Sequence, residues 1–592
     1  MDAPKAAERG PWWRDRQFWL LLVSVGLLYF TRLHAGICQG EESRRGLIAV
    51  EMLRTGDWIV PHQQGTLFVS RPPLQNWAIA ACGWLRGEVD EVAIRLPSAL
   101  GVLFMALVVY GYSRRFLSPT GAFTAGVISA TYGQTLELGR LGETEALFTL
   151  LVSGSLMIWH AGNYEQRRST AAWFAACGLV ALGTLTKGLQ APVYFAASVG
   201  VYLLLTRRWR EALRPAPLAA AGAGLLVVSA WLVPFAARQG LDGLRAIFSD
   251  DVVLRFEELS PALVVQHLVA YPLEVGVCLL PWSVLAMVYT APEFRARLGG
   301  ARDGVLFLTL ALLVTFPTCW FVPGARERYF MPLYPCAAPL LALVIARAAE
   351  LAPGPLAACT WRRHVVRFLT GLAAVMAVIG LFVLAASAWG RGQRAAWPLV
   401  PPLGAALLFA GASLVLAGMV LAARRCQSAG EAERGVLAVA AFLGFFFNGF
   451  VLSSEQRAAP HTRQQVAHVR DRLPPGARLV SLGLTDHLFA FYFERPIPCL
   501  PPPSQAAERK AAWDDVTYFC YAPGVVGGSL ADIPFAWEPL GVVSSDRVRQ
   551  QPPQRPVYIG RRIRPEAGGR QGAVAPPPSS RAAAPRDQAA RR

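Results

Sequence analysis

Long apolar stretches separated by short polar turns fill the first three quarters of the chain. A bilayer core about 30 Å thick needs about 20 largely apolar helical residues per crossing, because unpaired backbone groups are costly in lipid. Each stretch is therefore interpreted as one membrane-spanning helix. The pattern predicts thirteen spans, at about 18–36, 93–113, 119–138, 144–162, 171–187, 189–206, 216–236, 264–290, 304–322, 331–349, 366–388, 399–422 and 434–453.

The basic residues between these spans test their number independently. Cytoplasmic loops are rich in Lys and Arg, and alternate loops carry most of the Lys and Arg if the N-terminus is cytoplasmic. The basic inner segments are 114–115, 167–168, 207–214, 295–302, 362–367 and 424–425. An odd number of spans then places everything after about residue 454 outside the cytoplasm.

The first long outer segment, residues 37–92, contains two short helices by its pattern. Residues 44–53 have apolar side chains at helical spacing but are too few and too charged to cross a bilayer, so we expect them to lie along the membrane surface. Leu74–Trp84 follows two prolines, which end the extended stretch before it. This segment is therefore more than a connector.

The C-terminal segment, residues 454–562, has a different pattern. Strands are predicted at 478–483, 542–544 and 556–560, and a helix at 486–492, which together indicate a small α/β domain. Its two cysteines, Cys499 and Cys520, can form a disulfide outside the cytoplasm; the alternative is a pair of free thiols. Residues 563–592, rich in Pro, Ala, Arg and Gly, are expected to be disordered.

Composition agrees with a polytopic membrane protein. Apolar residues make up 54% of the 592 positions and charged residues only 16%, which is too few charges for the surface of a large cytoplasmic enzyme. The net charge of +18 is spread along the chain rather than gathered into one basic patch, so nucleic-acid binding is not expected. The predicted fold class is all-α and polytopic with a small outer α/β domain.

Acidic and basic residues gather at the outer ends of the spans. Two neighbouring carboxylates, Glu41 and Glu42, can act as a general base, bind a divalent metal or hold a polar substrate. The alternative is that they simply favour the start of a helix. Arginines on the same face suit phosphate groups, which they bind as planar forks. The other outer groups are Arg44, Ser70-Arg71, Arg140 with Glu143 and Glu145, Lys187-Gly188, and Arg326 with Arg328 and Tyr329.

Several of these stretches resemble motifs of bacterial lipid-linked glycosyltransferases with the GT-C architecture. The subgroup they resemble most is the 4-amino-4-deoxy-L-arabinose transferases that modify lipid A, which are related to protein O-mannosyltransferases. The resemblance is good over roughly residues 18–350. The matching stretches are Glu41-Glu42-Ser43-Arg44, Ile48-Ala49-Val50-Glu51-Met52, Gly56-Asp57-Trp58-Ile59-Val60-Pro61-His62, Arg71-Pro72-Pro73-Leu74, Leu185-Thr186-Lys187-Gly188, Leu280-Pro281-Trp282 and Arg328-Tyr329-Phe330-Met331-Pro332-Leu333-Tyr334-Pro335.

The resemblance implies a transmembrane GT-C domain over 1–453, whose periplasmic loop 37–92 carries the catalytic motif. A periplasmic α/β domain at 454–562 and a loose tail would follow. The implied location is the bacterial inner membrane, with the N-terminus in the cytoplasm.

The implied activity is inverting transfer of a sugar from a polyprenyl-phosphate donor to lipid A or another envelope glycan, with a protein acceptor as the alternative. Glu41 would orient or deprotonate the acceptor. Arg71, Lys187 and Arg328 would hold the donor phosphate. The full set implied is Glu41, Glu42 and Glu145 for catalysis and Arg44, Arg71, Arg140, Lys187, Arg328 and Tyr329 for substrate binding.

Some positions depart from the family pattern. Glu41 stands for an aspartate, Arg45 for a tyrosine, and Ser70-Arg71 for Glu-Lys. These changes leave the donor sugar and the acceptor open. A divalent metal is possible at the carboxylates, although the acid lost at Ser70 argues against it.

Two other classes of function fit a polytopic chain. A transporter would carry ionisable residues at the midplane of its spans and show two matching halves. In this sequence the charges gather at one face and the halves do not match. A catalytically inactive membrane scaffold is the third possibility.

Overall fold

The computed structural model of the protein describes residues 11–68, 71–164, 169–248, 260–350, 360–390, 400–458, 461–505, 513–546 and 553–564. All thirteen predicted spans are helical within these ranges, four of them as two consecutive segments. The helices are Arg16–Phe30, Glu91–Ser113, Pro119–Ala130 with Gly133–Leu138, Glu145–Tyr164, Ser169–Lys187, Gln190–Leu205, Pro215–Phe248, Pro261–Cys278 with the 3-10 segment Trp282–Thr290, Arg302–Thr315 with Pro317–Trp320, Tyr334–Glu350, Thr360–Trp389, Leu403–Ala423, and Ala429–Gly444 with the π-helical Phe445–Val451.

The lengths and surfaces of these helices fit a bilayer. Within the described ranges, nine helical stretches are long and apolar enough to cross a membrane, and Arg16–Phe30 and Gln190–Leu205 are shorter apolar helices. Large apolar side chains cover their outer faces: Leu226 is 73% exposed, Phe382 69% and Leu408 79%. Such a surface is stable only against lipid. The chain is a multi-pass membrane protein.

The core of the bundle surrounds the helix Pro119–Ala130, in which nearly every residue is buried. Its small side chains (Gly, Ala, Ser and Thr) let the neighbouring helices approach closely, as is common between helices in membranes. Tyr334–Glu350 and Glu91–Ser113 pack against it, and both are also largely buried. Glu145–Tyr164 packs against Glu91–Ser113 and against Ser169–Lys187, so the charged ends of these helices lie beside the core.

The outer segment after the first helix folds as helix, hairpin, helix. It contains Glu42–Thr55, the antiparallel strands β1 (His62–Gln63) and β2 (Thr66–Leu67), and Leu74–Arg86, so both predicted helices are confirmed. The apolar face of Glu42–Thr55 does not lie on the membrane as we expected. Ile48 and Met52 are at most 1% exposed within the protein, so the helical period marks a face that packs against protein.

The C-terminal segment contains the strands β3 (Leu479–Leu482), β4 (Cys499–Leu500), β5 (Tyr518–Tyr521), β6 (Trp537–Ser544) and β7 (Pro556–Arg562). They form a five-stranded mixed sheet in the order β4-β3-β5-β7-β6. The predicted strands and the predicted helix (His487–Phe493) are present, whereas β4 and β5 were not predicted. A second helix, Thr462–Arg472, precedes the sheet. The tail from residue 565 lies outside the described residues.

The register of this sheet excludes the disulfide considered from the sequence. Ser481 on β3 pairs with Cys499 on one side and with Cys520 on the other. The cysteines are thus two strand spacings apart, about 10 Å, whereas a disulfide needs Cα atoms within about 7 Å. Both thiols are free.

The C-terminal sheet is joined to the outer segment by a shared apolar core. Ala49, Ile79 and Ile94 cluster with Leu488 and Phe489 of the helix His487–Phe493. The hydroxyl of Tyr492 adds two hydrogen bonds, accepting the Cys38 N–H and donating to Glu91 Oε1, each at 3.0 Å. The helix Glu42–Thr55, which carries the first motif, is therefore held between the bundle and the C-terminal sheet.

Candidate active site

Charged side chains from separate parts of the chain meet at the end of the bundle that faces the C-terminal sheet. Glu145 begins its helix and Lys187 ends its own, while Arg328 lies in the 3-10 turn Glu327–Tyr329. The helix of Lys187 stops there because Gly188 has φ +79°, a left-handed conformation that glycine adopts without strain. The contacts between these three side chains bring separate loops of the chain together.

The deepest part of the site is an ion-pair cluster around Glu145. Lys187 Nζ lies 3.1 Å from Glu145 Oε1, and Arg328 Nε lies 3.8 Å from the same oxygen. The side chains of Glu145 and Lys187 are only 4% and 3% exposed. Thr144 Oγ1 donates to the other carboxylate oxygen at 3.3 Å. Two cations thus contact the same buried carboxylate oxygen.

Glu143 connects this cluster to the first motif. Its Oε1 accepts the backbone N–H of Glu41 at 3.3 Å, and its Oε2 lies 3.7 Å from Arg328 Nη1. Burial raises the pKa of the Glu143 carboxyl and the like charge of Glu145 raises it further, while Arg45 and Arg328 oppose both effects. A single residue therefore fixes Glu41 relative to the cations.

Glu41 is the accessible carboxylate of the site. Its side chain is 39% exposed and forms an ion pair with Arg44, three residues along the chain. Arg44 in turn lies over the ring of Phe68, 5.5 Å from its centroid. An exposed carboxylate beside buried cations is placed to contact a second substrate.

The neighbouring Glu42 has the opposite environment. It is fully buried, and Arg95 binds both of its oxygens, Nε to Oε1 at 2.8 Å and Nη2 to Oε2 at 2.9 Å. The backbone N–H groups of Gln39 and Gly142 donate to the same carboxylate at 2.7 and 2.9 Å. Glu42 accepts hydrogen bonds from four donors and so anchors the first motif to the bundle. Its catalytic role stays a prediction.

A glycine makes that tie sterically possible. A Cβ at Gly142 would lie 2.9 Å from the carbonyl oxygen of Ile94, inside van der Waals contact. Only glycine lets the loop that carries Glu143 approach the helix Glu91–Ser113 this closely.

Two further predicted binding residues also lie at this cluster. The ring of Tyr329 lies 4.9 Å from Lys187 Nζ, a favourable cation–π distance. Arg71 is half-buried and close enough for its charge to act on Lys187 and Arg45. Its predicted neighbour Ser70 lies outside the described residues.

Arg140 belongs to a different environment. Its Nη2 donates to the carbonyl oxygens of Thr31 and Arg32 at 2.9 and 3.1 Å, and its Nη1 bonds the side chain of Asn448. It lines a separate cavity of about 440 Å³ together with Glu137. The structure therefore does not bring Arg140 to the cluster around Glu145.

Arg45 and Arg95 are at the site although the sequence did not single them out. Arg95 lies inside a predicted span, where a buried charge indicates a partner. Arg45 departs from the family pattern, and in the structure it is 6% exposed and its charge interacts with Glu143 and Glu145.

The C-terminal sheet also supplies a residue next to the first motif. His487 Nδ1 lies 2.7 Å from Ser43 Oγ, although 444 positions separate them in sequence. Burial lowers the pKa of His487; Asp486 and Glu41 raise it, and Arg44 and Arg555 lower it. The neutral imidazole is therefore the form that the folded protein favours.

This contact predicts an acid-sensitive stability. Because the folded-state pKa lies below the ordinary value of about 6.5, the stabilisation from neutral His487 is complete above that value and is lost as the pH falls through the folded-state pKa. We expect the melting temperature of the purified protein to fall on acidification from about pH 8 to pH 5. In His487→Asn, which keeps a hydrogen-bonding group near Ser43, that fall is smaller. The control is His468→Asn, which changes an exposed histidine of the same domain. If the melting temperature of His487→Asn falls on acidification as much as that of wild type, the assignment to His487 is contradicted.

The carboxylates of the site are paired with basic side chains and are not grouped as metal ligands usually are, within the described residues. Within the described ranges, no three His, Cys, Asp or Glu side chains are grouped so as to hold a metal ion. The carboxylates are paired with lysine and arginine instead.

Known proteins resemble this chain both in sequence and in fold. A family described as dolichyl-phosphate-mannose-protein mannosyltransferase matches residues 70–233. The undecaprenyl phosphate-alpha-4-amino-4-deoxy-L-arabinose arabinosyl transferase of Pseudomonas aeruginosa strain UCBPP-PA14 is 31% identical over 337 residues, 56% of this chain and 59% of the relative. The protein of the same description from Edwardsiella ictaluri is 27% identical over 380 residues, 63% of this chain and 66% of the relative.

The crystal structure of ArnT from Cupriavidus metallidurans bound to undecaprenyl phosphate matches 92% of this chain and 98% of its own, with a TM-score of 0.65 at 18% identity. This chain has the ArnT fold. The apo form of ArnT gives the same TM-score at 19% identity. The GT-C architecture predicted from the motifs is thus confirmed, as is the resemblance to 4-amino-4-deoxy-L-arabinose transferases. The chain spans 59% of the length of the Pseudomonas relative.

Proposed function

We propose that this chain is an inverting glycosyltransferase that moves a sugar from a polyprenyl-phosphate donor to lipid A or another envelope acceptor. The observation that carries the proposal is the buried cluster in which Lys187 and Arg328 share Glu145, next to the accessible carboxylate of Glu41. A site for a phosphate and a site for an acceptor then lie side by side. The similarity to transferases that use an undecaprenyl-phosphate sugar supports this proposal.

In this mechanism the cations act on the leaving group. Lys187 and Arg328, with Arg71 nearby, hold the donor phosphate and stabilise the negative charge that it gains as the anomeric C–O bond breaks. Glu145 keeps both cations in place and contacts the sugar or the acceptor. Tyr329 packs beside Lys187.

The carboxylate at the rim acts on the acceptor. Glu41 removes the proton of an acceptor hydroxyl, or orients an acceptor phosphate, as its oxygen attacks the anomeric carbon from the face opposite the leaving phosphate. One C–O bond forms while another breaks, so the configuration inverts. Glu143 holds the backbone of Glu41, and Glu42 anchors the motif through Arg95.

We place this site on the periplasmic side of the bacterial inner membrane, with the N-terminus in the cytoplasm. A transmembrane domain then covers 1–453, with the loop 37–92, and a periplasmic domain covers 454–562. The basic inner loops support this orientation. A transporter is less well supported, because the cluster around Glu145 lies at the ends of helices rather than at their centres.

A protein is the alternative acceptor, since the matching family is described as a protein mannosyltransferase. Mass spectrometry of envelope fractions, from cells that do or do not express the chain, tests the glycolipid and the protein as acceptors. We expect lipid A, or another envelope glycolipid, to gain the mass of one sugar when the chain is expressed. A sugar on the protein fraction alone supports a protein O-glycosyltransferase, and unchanged glycolipids and proteins contradict the proposal.

A further inference from the structure

Arg45 is a buried cation that has no ion-pair partner among the described residues. It is 6% exposed, and its Nε and Nη1 are buried without a hydrogen-bond partner in the part of the chain that the structure describes. Among the described residues, no carboxylate lies within ion-pair distance of its guanidinium. An unpaired charge is unfavourable in such surroundings unless a ligand pairs with it.

The carboxylates nearest to Arg45 are already engaged. The charges that act on it are those of Glu143, Glu145 and Glu41, with Arg71 opposing them. Glu145 is held by Lys187 and Arg328, Glu143 faces Arg328, and Glu41 is paired with Arg44. None of these described acids is left to neutralise Arg45, which leaves its guanidinium available to an anionic group of a substrate.

That counter-ion is distinct from the donor phosphate if Lys187 and Arg328 bind the phosphate, as proposed above. We infer that Arg45 binds a second anionic oxyacid group of the substrates, a carboxylate on the transferred sugar or a phosphate on the acceptor. The inference rests on the proposed function and specifies the chemistry of its substrates. A guanidinium suits both groups, because its planar fork matches two oxygens of a carboxylate or a phosphate.

Binding measurements on the purified full-length protein test this inference without requiring turnover. The first pair of probes is glucose 1-phosphate and glucuronic acid 1-phosphate, which share the phosphate and differ in a carboxylate. The second pair is bisphosphorylated and dephosphorylated lipid A. Affinities are compared for wild type, Arg45→Gln, Arg45→Lys and the control Arg54→Gln, which removes an exposed arginine of the same helix.

If the sugar carries the anion, wild type binds glucuronic acid 1-phosphate more tightly than glucose 1-phosphate by about tenfold or more, the effect of one charge-assisted contact. If the acceptor carries it, bisphosphorylated lipid A is preferred by a similar factor. In either case Arg45→Gln removes the preference, Arg45→Lys keeps part of it, and Arg54→Gln keeps all of it.

Two results overturn the inference: equal preferences in wild type and Arg45→Gln, or an equal loss of affinity for both sugar phosphates in Arg45→Gln. The second result assigns Arg45 to the donor phosphate itself. Equal melting temperatures of the variants show that folding is not the cause. Failure of the proposed function appears separately, as absence of sugar transfer from polyprenyl-phosphate donors by wild type.

Discussion

Replacement of Lys187 by methionine is expected to lower sugar transfer by about two to three orders of magnitude, the loss typical of removing one preorganised charge that stabilises a developing anion. The side chain of Lys187 is 3% exposed and its Nζ lies 3.1 Å from Glu145. Without it, Glu145 keeps only Arg328, at 3.8 Å, and its negative charge faces the donor phosphate. Initial rates with a labelled undecaprenyl-phosphate sugar measure the effect.

The matched control for this variant is Arg114→Met. Arg114 forms an ion pair with Asp15 at 2.7 Å and is also largely buried, but it lies at the other end of its helix from the site. We expect it to transfer sugar at a rate near that of wild type. A Lys187→Met protein that folds normally and keeps more than about a tenth of the wild-type rate contradicts the role of this lysine.

Replacement of Glu41 by glutamine is expected to lower kcat by about two to four orders of magnitude, as loss of a general base does. Little change is expected in the KM for the donor, because the carboxylate acts on the acceptor. The melting temperature should stay near that of wild type, since the side chain is 39% exposed. The control Glu88→Gln removes an exposed acid of the same outer segment.

A comparison of Glu42→Gln with Glu41→Gln distinguishes the catalytic carboxylate from the one that anchors the motif. Glu42→Gln leaves Arg95 buried without its charged partner, a change that costs about 3–5 kcal/mol in other proteins. We therefore expect a lower melting temperature for Glu42→Gln and not for Glu41→Gln. If Glu41→Gln transfers sugar like wild type, Glu41 is not the base. If instead only Glu42→Gln abolishes transfer without loss of stability, the two roles are exchanged.

The helices of this fold could be predicted because the bilayer fixes how long an apolar stretch must be. The same argument does not identify Arg95 as a site residue, because a long apolar stretch tolerates one charge. Its ion pair with Glu42 joins positions far apart in the sequence and becomes visible only in the folded structure. Strand β4 contains only two residues, too few to show an alternating pattern, and β5 is buried at three of its four residues, so its sequence does not alternate between apolar and polar.

The site was predicted in part, for a similar physical reason. Lys187, Arg328, Tyr329 and Glu145 stand at helix ends on one face, so the span count alone brings them together. The count does not determine where a side chain points, and Arg140 turns instead to the carbonyl of Thr31. Contacts across long separations, such as the one between Ser43 and His487, leave no local pattern in the sequence.

The most direct test of the central claim is transfer by the purified full-length protein from labelled undecaprenyl-phosphate sugars to lipid A. The donors should include 4-amino-4-deoxy-L-arabinose, a neutral hexose and a uronic acid. We predict label in lipid A for at least one donor with wild type and Arg114→Met, and almost none with Lys187→Met or Glu41→Gln. No transfer from any of these donors, or equal transfer by wild type and both site variants, contradicts the claim.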